Sequence, residues 1–365
     1  MAKLISSLGL MSGTSLDGVD VAHILTDGEQ IVERRGGLSI PYTKAQTEAL
    51  RQGLIAAQHL TDRTARPAAL AALEADLTRW HAEAVSRFMR EFHNPQIDLI
   101  GFHGQTILHK PQEKLTIQLG DGQMLAQLTG LAVVADMRAA DVAAGGQGAP
   151  LVPAYHAALA GDLAASPCVF VNIGGVANIT YIGTDGALMA FDTGPGNALL
   201  NDWALRHSGH DYDINGELAA SGAVDEMRLA SWLAHKYFTQ KPPKSLDRND
   251  FAHVDLEGLS PADGAACLTA FTARSIAKAS EHFPDQPFMW VITGGGRRNP
   301  TLLTMLRKTI SGMVVTAEEA GLDGDLMEAE AWAYLAARSS LGLPLSFPGT
   351  TGVFKPMRGG VRFEA

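Results

Sequence analysis

A duplicated α/β architecture is the fold this chain predicts, and three observations carry it. The chain opens on two apolar runs, Leu4 to Met11 and Val19 to Thr26, set about a polar turn containing Gly13 and Gly18. The same order of strand, glycine turn and strand returns at Pro167 to Ile173, Gly174-Gly175 and Val176 to Ile182. Further apolar runs in both halves alternate with amphipathic helical stretches, the pattern of layered α/β folds. A motif repeated at the heads of two half-chains implies duplication, with domains expected at 1–145 and 146–365.

Composition narrows the function classes. At 365 residues, 46% of them hydrophobic, the chain has ample material for two buried cores. Its formal charge of −10 excludes a general nucleic-acid or anionic-membrane surface, so an anionic ligand must meet a local basic cluster. Small molecules are the expected partners. Cys168 and Cys267 each sit in apolar sequence and read as free thiols of a reducing compartment. Ser6, Ser7 and Gly9 interrupt the first apolar run before it reaches signal-peptide length, and nowhere do 18 apolar residues run together. A cytoplasmic protein without a membrane span is expected.

The opening turn, Gly13-Thr14-Ser15-Leu16-Asp17-Gly18-Val19-Asp20, has the composition of a phosphate-holding loop. Its glycines permit positive φ and close approach, and Thr14, Ser15 and successive backbone N–H groups can converge on one anion. Asp17 and Asp20 add hard oxygen ligands that suit Mg²⁺ travelling with a nucleotide. The competing reading is a hairpin turn with incidental hydroxyls. Two such turns, with Gly174-Gly175 in the second, place a nucleotide between the halves.

Ile31 to Ile40 reads as a third strand. From Pro67 to Phe92, Leu70, Leu73, Leu77, Trp80, Ala84 and Phe88 recur at three- and four-residue steps, which predicts a long helix covering a sheet. Ile97 to Phe102 is a buried-type strand expected to end in a polar loop, His103-Gly104-Gln105-Thr106, where ligands gather in α/β sheets. His103 alone reads equally as a satisfied core histidine; with Gln105 and Thr106 beside it, a sugar- or anion-contacting loop is expected. After the strand Leu131 to Ala135, Arg138 either pairs with Asp136 or Asp141, or turns its planar fork to a substrate carboxylate. Gly145-Gly146-Gln147-Gly148 follows as a hinge or close approach.

In the second half, Asp192 of Phe191-Asp192-Thr193-Gly194-Pro195-Gly196-Asn197 stands at a strand end before a rigid loop, with a helix starting near Asn197. It is a general-base candidate, or a turn-capping aspartate. Phe288 to Thr293 predicts a strand, and Gly294-Gly295-Gly296 a surface for a flat adenine; Asn299 and Pro300 read as N-cap and first residue of a helix. On the last helix, Asp325 to Arg338, the spacing puts Glu328 on one face with Trp332 and Leu335 and leaves Glu330 to solvent. A carboxylate on an apolar stripe needs a partner, so Glu328 meets a substrate or a buried donor. No P-loop, dinucleotide fingerprint or nucleophile elbow is present, and Asp192-Thr193-Gly194 lacks the second copy an aspartic protease requires.

Taken together, Leu10 to Asp20, Gly104-Gln105-Thr106, Gly145 to Pro150, Asn172-Ile173-Gly174-Gly175-Val176-Ala177-Asn178 and Asp192 to Asn197 resemble the anhydro-N-acetylmuramic acid kinase family, in order over nearly the whole chain. The resemblance implies a duplicated actin-like (ribonuclease H-like) ATPase fold, with two domains around a nucleotide cleft. It implies ATP and Mg²⁺, water as co-substrate, and conversion of 1,6-anhydro-N-acetylmuramic acid to N-acetylmuramic acid 6-phosphate in peptidoglycan recycling. A cytoplasmic homodimer is expected with it. On this reading Asp192 is the base, Gly13 to Asp20 with Gly174, Gly175 and Gly294 to Gly296 hold the nucleotide, and Asp17 or Asp20 holds the metal. His103, Gln105, Thr106, Arg138, Asn197 and Glu328 bind the sugar. Lys244-Ser245-Leu246-Asp247-Arg248-Asn249-Asp250-Phe251 departs from the Lys-Ser-Thr-Gly-Arg-Glu form of the family, and Met11 stands where the wider superfamily has a metal-linked Asp.

Overall fold

The structure, a computed structural model, describes residues 3–163, 165–247, 249–251 and 254–365; Arg248 lies outside them. Contacts divide the chain into one unit of Met1–Leu159 with Asp325–Ala365 and a second of Ala160–Gly324. The sequence expectation was a single boundary at 145/146; by contacts the first boundary falls at 159/160, and Asp325–Ala365 joins the first unit, its helix Met327–Ser340 packing on the first sheet.

In the first unit, β1 (Ile5–Ser12), β2 (Gly18–Thr26) and β3 (Val32–Pro41) form an antiparallel meander. β4 (Leu99–Lys110) pairs parallel with β1, β5 (Leu115–Leu119) pairs antiparallel with the far end of β4, and β6 (Val133–Ala135) pairs parallel with β4. The second unit repeats the plan. There β7 (Cys168–Ile173), β8 (Val176–Ile182) and β9 (Leu188–Pro195) are the antiparallel meander, while β10 (Met289–Thr293) and β11 (Met313–Thr316) follow in parallel. The last strand, β12 (Val361–Phe363), closes the first sheet on β6. Strand order is β3-β2-β1-β4-β6 in one sheet and β9-β8-β7-β10-β11 in the other, so the two units share one topology.

Strand alternation decides what covers each face of the first sheet. Leu8, Leu10, Val19, Val21, Ile100 and Phe102 pack with Ala84, Val85 and Phe88 of the helix Ala68–Glu91, as the three- and four-residue spacing predicts. Gly9 and Gly101, register partners on β1 and β4, face the helix Met327–Ser340. That helix lies so close that a Cβ on Gly9 would stand 1.7 Å from the Ala329 carbonyl oxygen, and one on Gly101 2.1 Å from that of Trp332. In the second unit the meander packs against Ala273 and Ile276 of the helix Pro261–Lys278 and against Leu302 and Leu306 of the helix Pro300–Thr309. The latter begins as expected, with Asn299 accepting from the Leu302 N–H at 3.0 Å and Pro300 in the first turn.

The segment His103 to Thr106, expected as a loop, is instead continuous strand. Beyond its pairing with β1, β4 gains a second partner in β5, so the backbone hydrogen bonds carry it on to Lys110. Both cysteines are buried free thiols. Among the described residues no helix is long and apolar enough to cross a membrane.

Candidate active site

Between β1 and β2 the opening turn is built by what surrounds it. Leu16 N–H bonds back to the Gly13 carbonyl at 3.2 Å, and the Leu16 side chain anchors in a cluster with Leu50, Leu73 and Ile117. Thr14 and Ser15 are thereby left exposed at the tip. The positive φ expected of Gly13 and Gly18 belongs to neither; Leu16 takes it, at 57°. Gly18 is demanded by space, since a Cβ there would meet the Ile40 carbonyl oxygen at 2.4 Å. Val19 is a core residue, so its contribution to a ligand is limited to backbone.

Gln105 is committed to this turn. Its Oε1 accepts from Ser12 Oγ at 2.5 Å and its Nε2 donates to the Gly13 carbonyl at 3.1 Å, while Tyr42 OH stands 2.7 Å from Ser12 Oγ. Buried and bonded at both ends of its amide, it positions the turn, a role the expected sugar contact did not foresee. Thr106 accepts from Gln118 Nε2 at 3.2 Å.

The two carboxylates differ. Asp17, exposed, accepts from Ser15 Oγ at 2.8 Å, whereas Asp20 is drawn onto β2 and accepts from Ser39 Oγ at 2.5 Å. Among the described residues no three His, Cys, Asp or Glu gather to hold a metal ion. The donors suit an ion that keeps its waters and arrives on phosphates, for which one exposed carboxylate suffices.

In the same unit His103, Arg138 and Trp332 form a stack. The imidazole lies 4.5 Å from the Trp332 ring, and the guanidinium sits 4.8 Å over that ring and donates to His103 Nε2 at 3.2 Å through Nε and Nη2. Burial and the adjacent guanidinium hold the imidazole well below its ordinary pKa. It is therefore neutral, with its proton on Nδ1 because Nε2 accepts. Burial draws Arg138 down to about 10, still a cation at neutral pH. Neither structural pairing weighed for Arg138 forms: Asp136 pairs with Arg63, and Asp141 accepts from Gly148 N–H, Ser346 and Thr351. A neutral acceptor, the Gly148 carbonyl at 2.8 Å, completes its setting. The fork is thus fixed in place by uncharged groups.

Glu328 and Glu330 reverse the expectation. Glu330 is 3% exposed and accepts from Tyr155 OH at 2.7 Å, while Glu328 is exposed in the first turn of its helix, where its charge acts on Arg138. The helix is buried almost all round, from Ala329 to Ala337, so an apolar stripe no longer says which carboxylate points inward.

In the second unit the ends of β7 and β10 converge with the loop after β9. Asn197 starts the helix Ala198–Ser208 as expected; its N–H donates to the Gly174 carbonyl at 2.7 Å and its Nδ2 to that of Ile173 at 3.0 Å. Gly294 has φ 70° and lies where a Cβ would meet Asn172 Oδ1 at 2.2 Å. Gly296 packs on Ile173, and buried Arg297 closes the loop by donating to the Gly294 carbonyl at 3.0 Å and to Glu318 at 2.8 Å. Gly175 and Gly295 stay exposed, and a Cβ on Gly295 would meet Asn197 Nδ2 at 3.8 Å. These glycines sit at the carboxyl ends of parallel strands, where open α/β sheets bind ligands.

Asp192, expected at a strand end, lies within β9, which pairing with β8 carries on through Pro195; it is half-buried, with Leu246 N–H donating to its Oδ2 at 2.8 Å. Burial pushes the carboxyl up to about 6, and that single N–H opposes the shift. No cation pairs with it among the described residues' ion pairs. A carboxylate held near 6 is matched to taking a proton at neutral pH. The segment that supplies Leu246 is the one whose sequence departs from the family form. Sequence marked Lys244 and Leu246 only as members of that departing segment and gave them no role, and it did not mark Tyr237; the Lys-Ser pair shared with the family form was the available signal.

Two units of one topology, each with a glycine turn between its first two strands and ligand-type residues at its parallel strand ends, define the class: the duplicated actin-like, or ribonuclease H-like, fold of sugar kinases and related ATPases. A sequence model described as anhydro-N-acetylmuramic acid kinase matches residues 5–365. Proteins of that name from Rhodopseudomonas palustris (strain HaA2) and Brucella suis (strain ATCC 23445) are 53% and 50% identical to the chain, over 98% and 99% of it and 99% of each relative. Among solved structures, component A of (R)-2-hydroxyglutaryl-CoA dehydratase from Acidaminococcus fermentans aligns with TM-score 0.48 and 13% identity, over 92% of this chain and 99% of that one. The chain belongs to the anhydro-N-acetylmuramic acid kinase family, and it is an enzyme of the kinase class.

Proposed function

We propose that this enzyme uses ATP and water to open the 1,6-anhydro ring of 1,6-anhydro-N-acetylmuramic acid and to phosphorylate the 6-oxygen, giving N-acetylmuramic acid 6-phosphate and ADP. The observation that supports it best is Asp192: a carboxylate raised to about 6 and facing no cation, in a family whose substrate offers no hydroxyl proton at the reacting oxygen. The 6-oxygen is locked in the bridge, so the base must act on water. Asp192 takes a proton from a water whose oxygen attacks the anomeric carbon, as the base does in an inverting glycosidase. The bond from that carbon to the 6-oxygen breaks, the freed electron pair attacks the γ-phosphorus, and ADP leaves.

Thr14, Ser15 and the backbone of Gly13 to Asp20, with Gly174 and Gly175, bind phosphates, and Gly294 to Gly296 face the adenosine. Mg²⁺, when bound, neutralises charge on the phosphates; Asp17 is the residue that would hold it, with Asp20 behind it. Arg138 takes the lactyl carboxylate in a two-pronged contact, since uncharged neighbours have fixed its fork without satisfying it. His103, Thr106, Asn197 and Glu328 orient the sugar, and Gln105 supports the phosphate turn. The setting is the cytoplasm, in recycling of peptidoglycan fragments, with the enzyme as a homodimer.

The direct test is ADP release from Mg-ATP with and without the anhydro sugar. Release that depends strictly on the sugar is expected; release indifferent to it would contradict the reading. Arg138→Ala is expected to raise KM for the sugar about 10- to 100-fold with little change in KM for ATP, in line with loss of a charged hydrogen-bond pair. An unchanged sugar KM would return Arg138 to a structural role. The pH profile of kcat/KM is expected to fall on the acid side with a midpoint near 6, because only ionised Asp192 accepts the proton. A profile flat from pH 7 down to 5 would contradict it.

A further inference from the structure

We infer that Lys244 is a positioning residue for the catalytic carboxylate, acting through Tyr237 and through the backbone of residues 244–246. The inference rests on Asp192 being the base. β9 is the edge strand of its sheet, and at Asp192 the free edge is taken up by the 244–246 segment. Asp192 N–H donates to the Lys244 carbonyl at 3.0 Å, and Leu246 N–H donates to Asp192 Oδ2 at 2.8 Å. This two-point pairing holds both the main chain and the carboxylate of one residue.

What holds the segment is the Lys244 ammonium. It donates to the Tyr237 carbonyl at 3.0 Å, lies 3.3 Å from His282 Nε2, and rests 4.6 Å from the Tyr237 ring and 5.4 Å from the Phe191 ring. Tyr237 then returns to the site, its hydroxyl donating to the Asp192 carbonyl oxygen. The cation thus ties together three pieces of chain around Asp192 while its own charge goes to two carbonyls, those of Tyr237 and, at 3.5 Å, Phe238, to an imidazole and to two rings. An ammonium paired directly with Asp192 would lower its basicity; here the lysine secures the geometry without that cost. The other groups that act on this cluster are Lys278 and Glu281, which reach Lys244 and His282, and Asp250, which reaches Tyr237. Among the described residues none of them hydrogen-bonds or pairs with Asp192.

The experiment is steady-state kinetics across pH on Lys244→Met, Lys244→Arg, Tyr237→Phe and Asp192→Asn, with Mg-ATP and the anhydro sugar. Lys244→Met keeps the aliphatic stem and removes the cation. It is expected to lower kcat about tenfold, with both KM values within about twofold, as misplacement of a base does. The acid limb is expected to move to higher pH, since the Leu246 N–H that favours the ionised carboxylate is no longer held in place. Lys244→Arg should recover most of the loss. Should Lys244→Met fold poorly, Tyr237→Phe removes only the hydroxyl link and should shift kcat and the limb in the same directions. Unchanged kcat and limb in Lys244→Met or Tyr237→Phe, or a rise in sugar KM in place of a fall in kcat, would overturn the inference. Full activity in Asp192→Asn would instead overturn the underlying assignment of the base, so the two failures are told apart.

Discussion

Asp192→Asn is expected to lower kcat by about 10²-fold or more, the range for loss of a general base, while leaving the protein folded. The amide keeps an oxygen to accept the Leu246 N–H but cannot take a proton from water. A second signature accompanies the loss. Burial raises the folded-state pKa of Asp192 above its unfolded value, to about 6. Between about pH 4 and 6 the folded chain therefore binds a proton that the unfolded chain has released, and the stability this group contributes is lost as pH rises through that window. Above it the buried charge is a net cost of up to about 3 kcal/mol. Asn carries no such charge, so the variant should be more stable than the parent at pH 8 and no more stable at pH 4. Thermal unfolding at the two pH values, beside the kinetics, checks both halves. Near-parental turnover would remove Asp192 from the chemistry, and equal stability differences at both pH values would show that its charge is not confined by burial.

The largest structural effect is expected at Gly9. Its missing side chain is the space through which the helix Met327–Ser340 passes: a Cβ would stand 1.7 Å from the Ala329 carbonyl oxygen and 2.6 Å from the Ala333 nitrogen. No rotamer relieves a clash made by Cβ itself, and the obstacle is helix backbone, so the helix must lift from the sheet. Gly9→Ala should cost about 3 kcal/mol or more, at or beyond the upper range for core overpacking, and Gly9→Val should abolish the folded state of a domain with ordinary marginal stability. Gly161, in the helix Pro153–Asp162 with nothing within 4 Å of its would-be Cβ, is the control. Gly161→Ala should be neutral or stabilise by about 0.5–1 kcal/mol. Urea unfolding of the two alanine variants decides it; equal midpoints would mean the helix is not seated on β1.

Sequence revealed those features whose cause is local. The helix Ala68–Glu91 and the strands around both glycine turns follow from periodicity and turn chemistry, and they lie within two residues of where those signals put them. Asp192 was visible because a Pro/Gly-rich stretch follows it in sequence, although Gly194 and Pro195 prove to be paired strand and not loop. Its holder was not, because Leu246 lies 54 residues further on and contributes only a backbone N–H, which no side-chain pattern advertises. The same applies to β12, a three-residue strand that exists only because β6 offers it an edge. The strand status of His103 to Thr106 depended on β5, a partner arriving later in the chain. Glu328 and Glu330 were exchanged for a different reason: on a helix with alanines on nearly every side, the side of burial is set by what packs against it. Gln105 was expected among the sugar contacts; the partners its amide does have, Ser12 and Gly13, come from β1 and the turn after it.

The central claim is that water, activated by Asp192, opens the anhydro ring as the 6-oxygen is phosphorylated. The measurement that tests it most directly is the mass of the sugar product formed from Mg-ATP and 1,6-anhydro-N-acetylmuramic acid in oxygen-18 water. A ring-opened sugar phosphate carrying one heavy oxygen on the sugar, formed in step with ADP, is the predicted result. ADP formed with unlabelled sugar phosphate, or a phosphorylated sugar with its anhydro bridge intact, would contradict it.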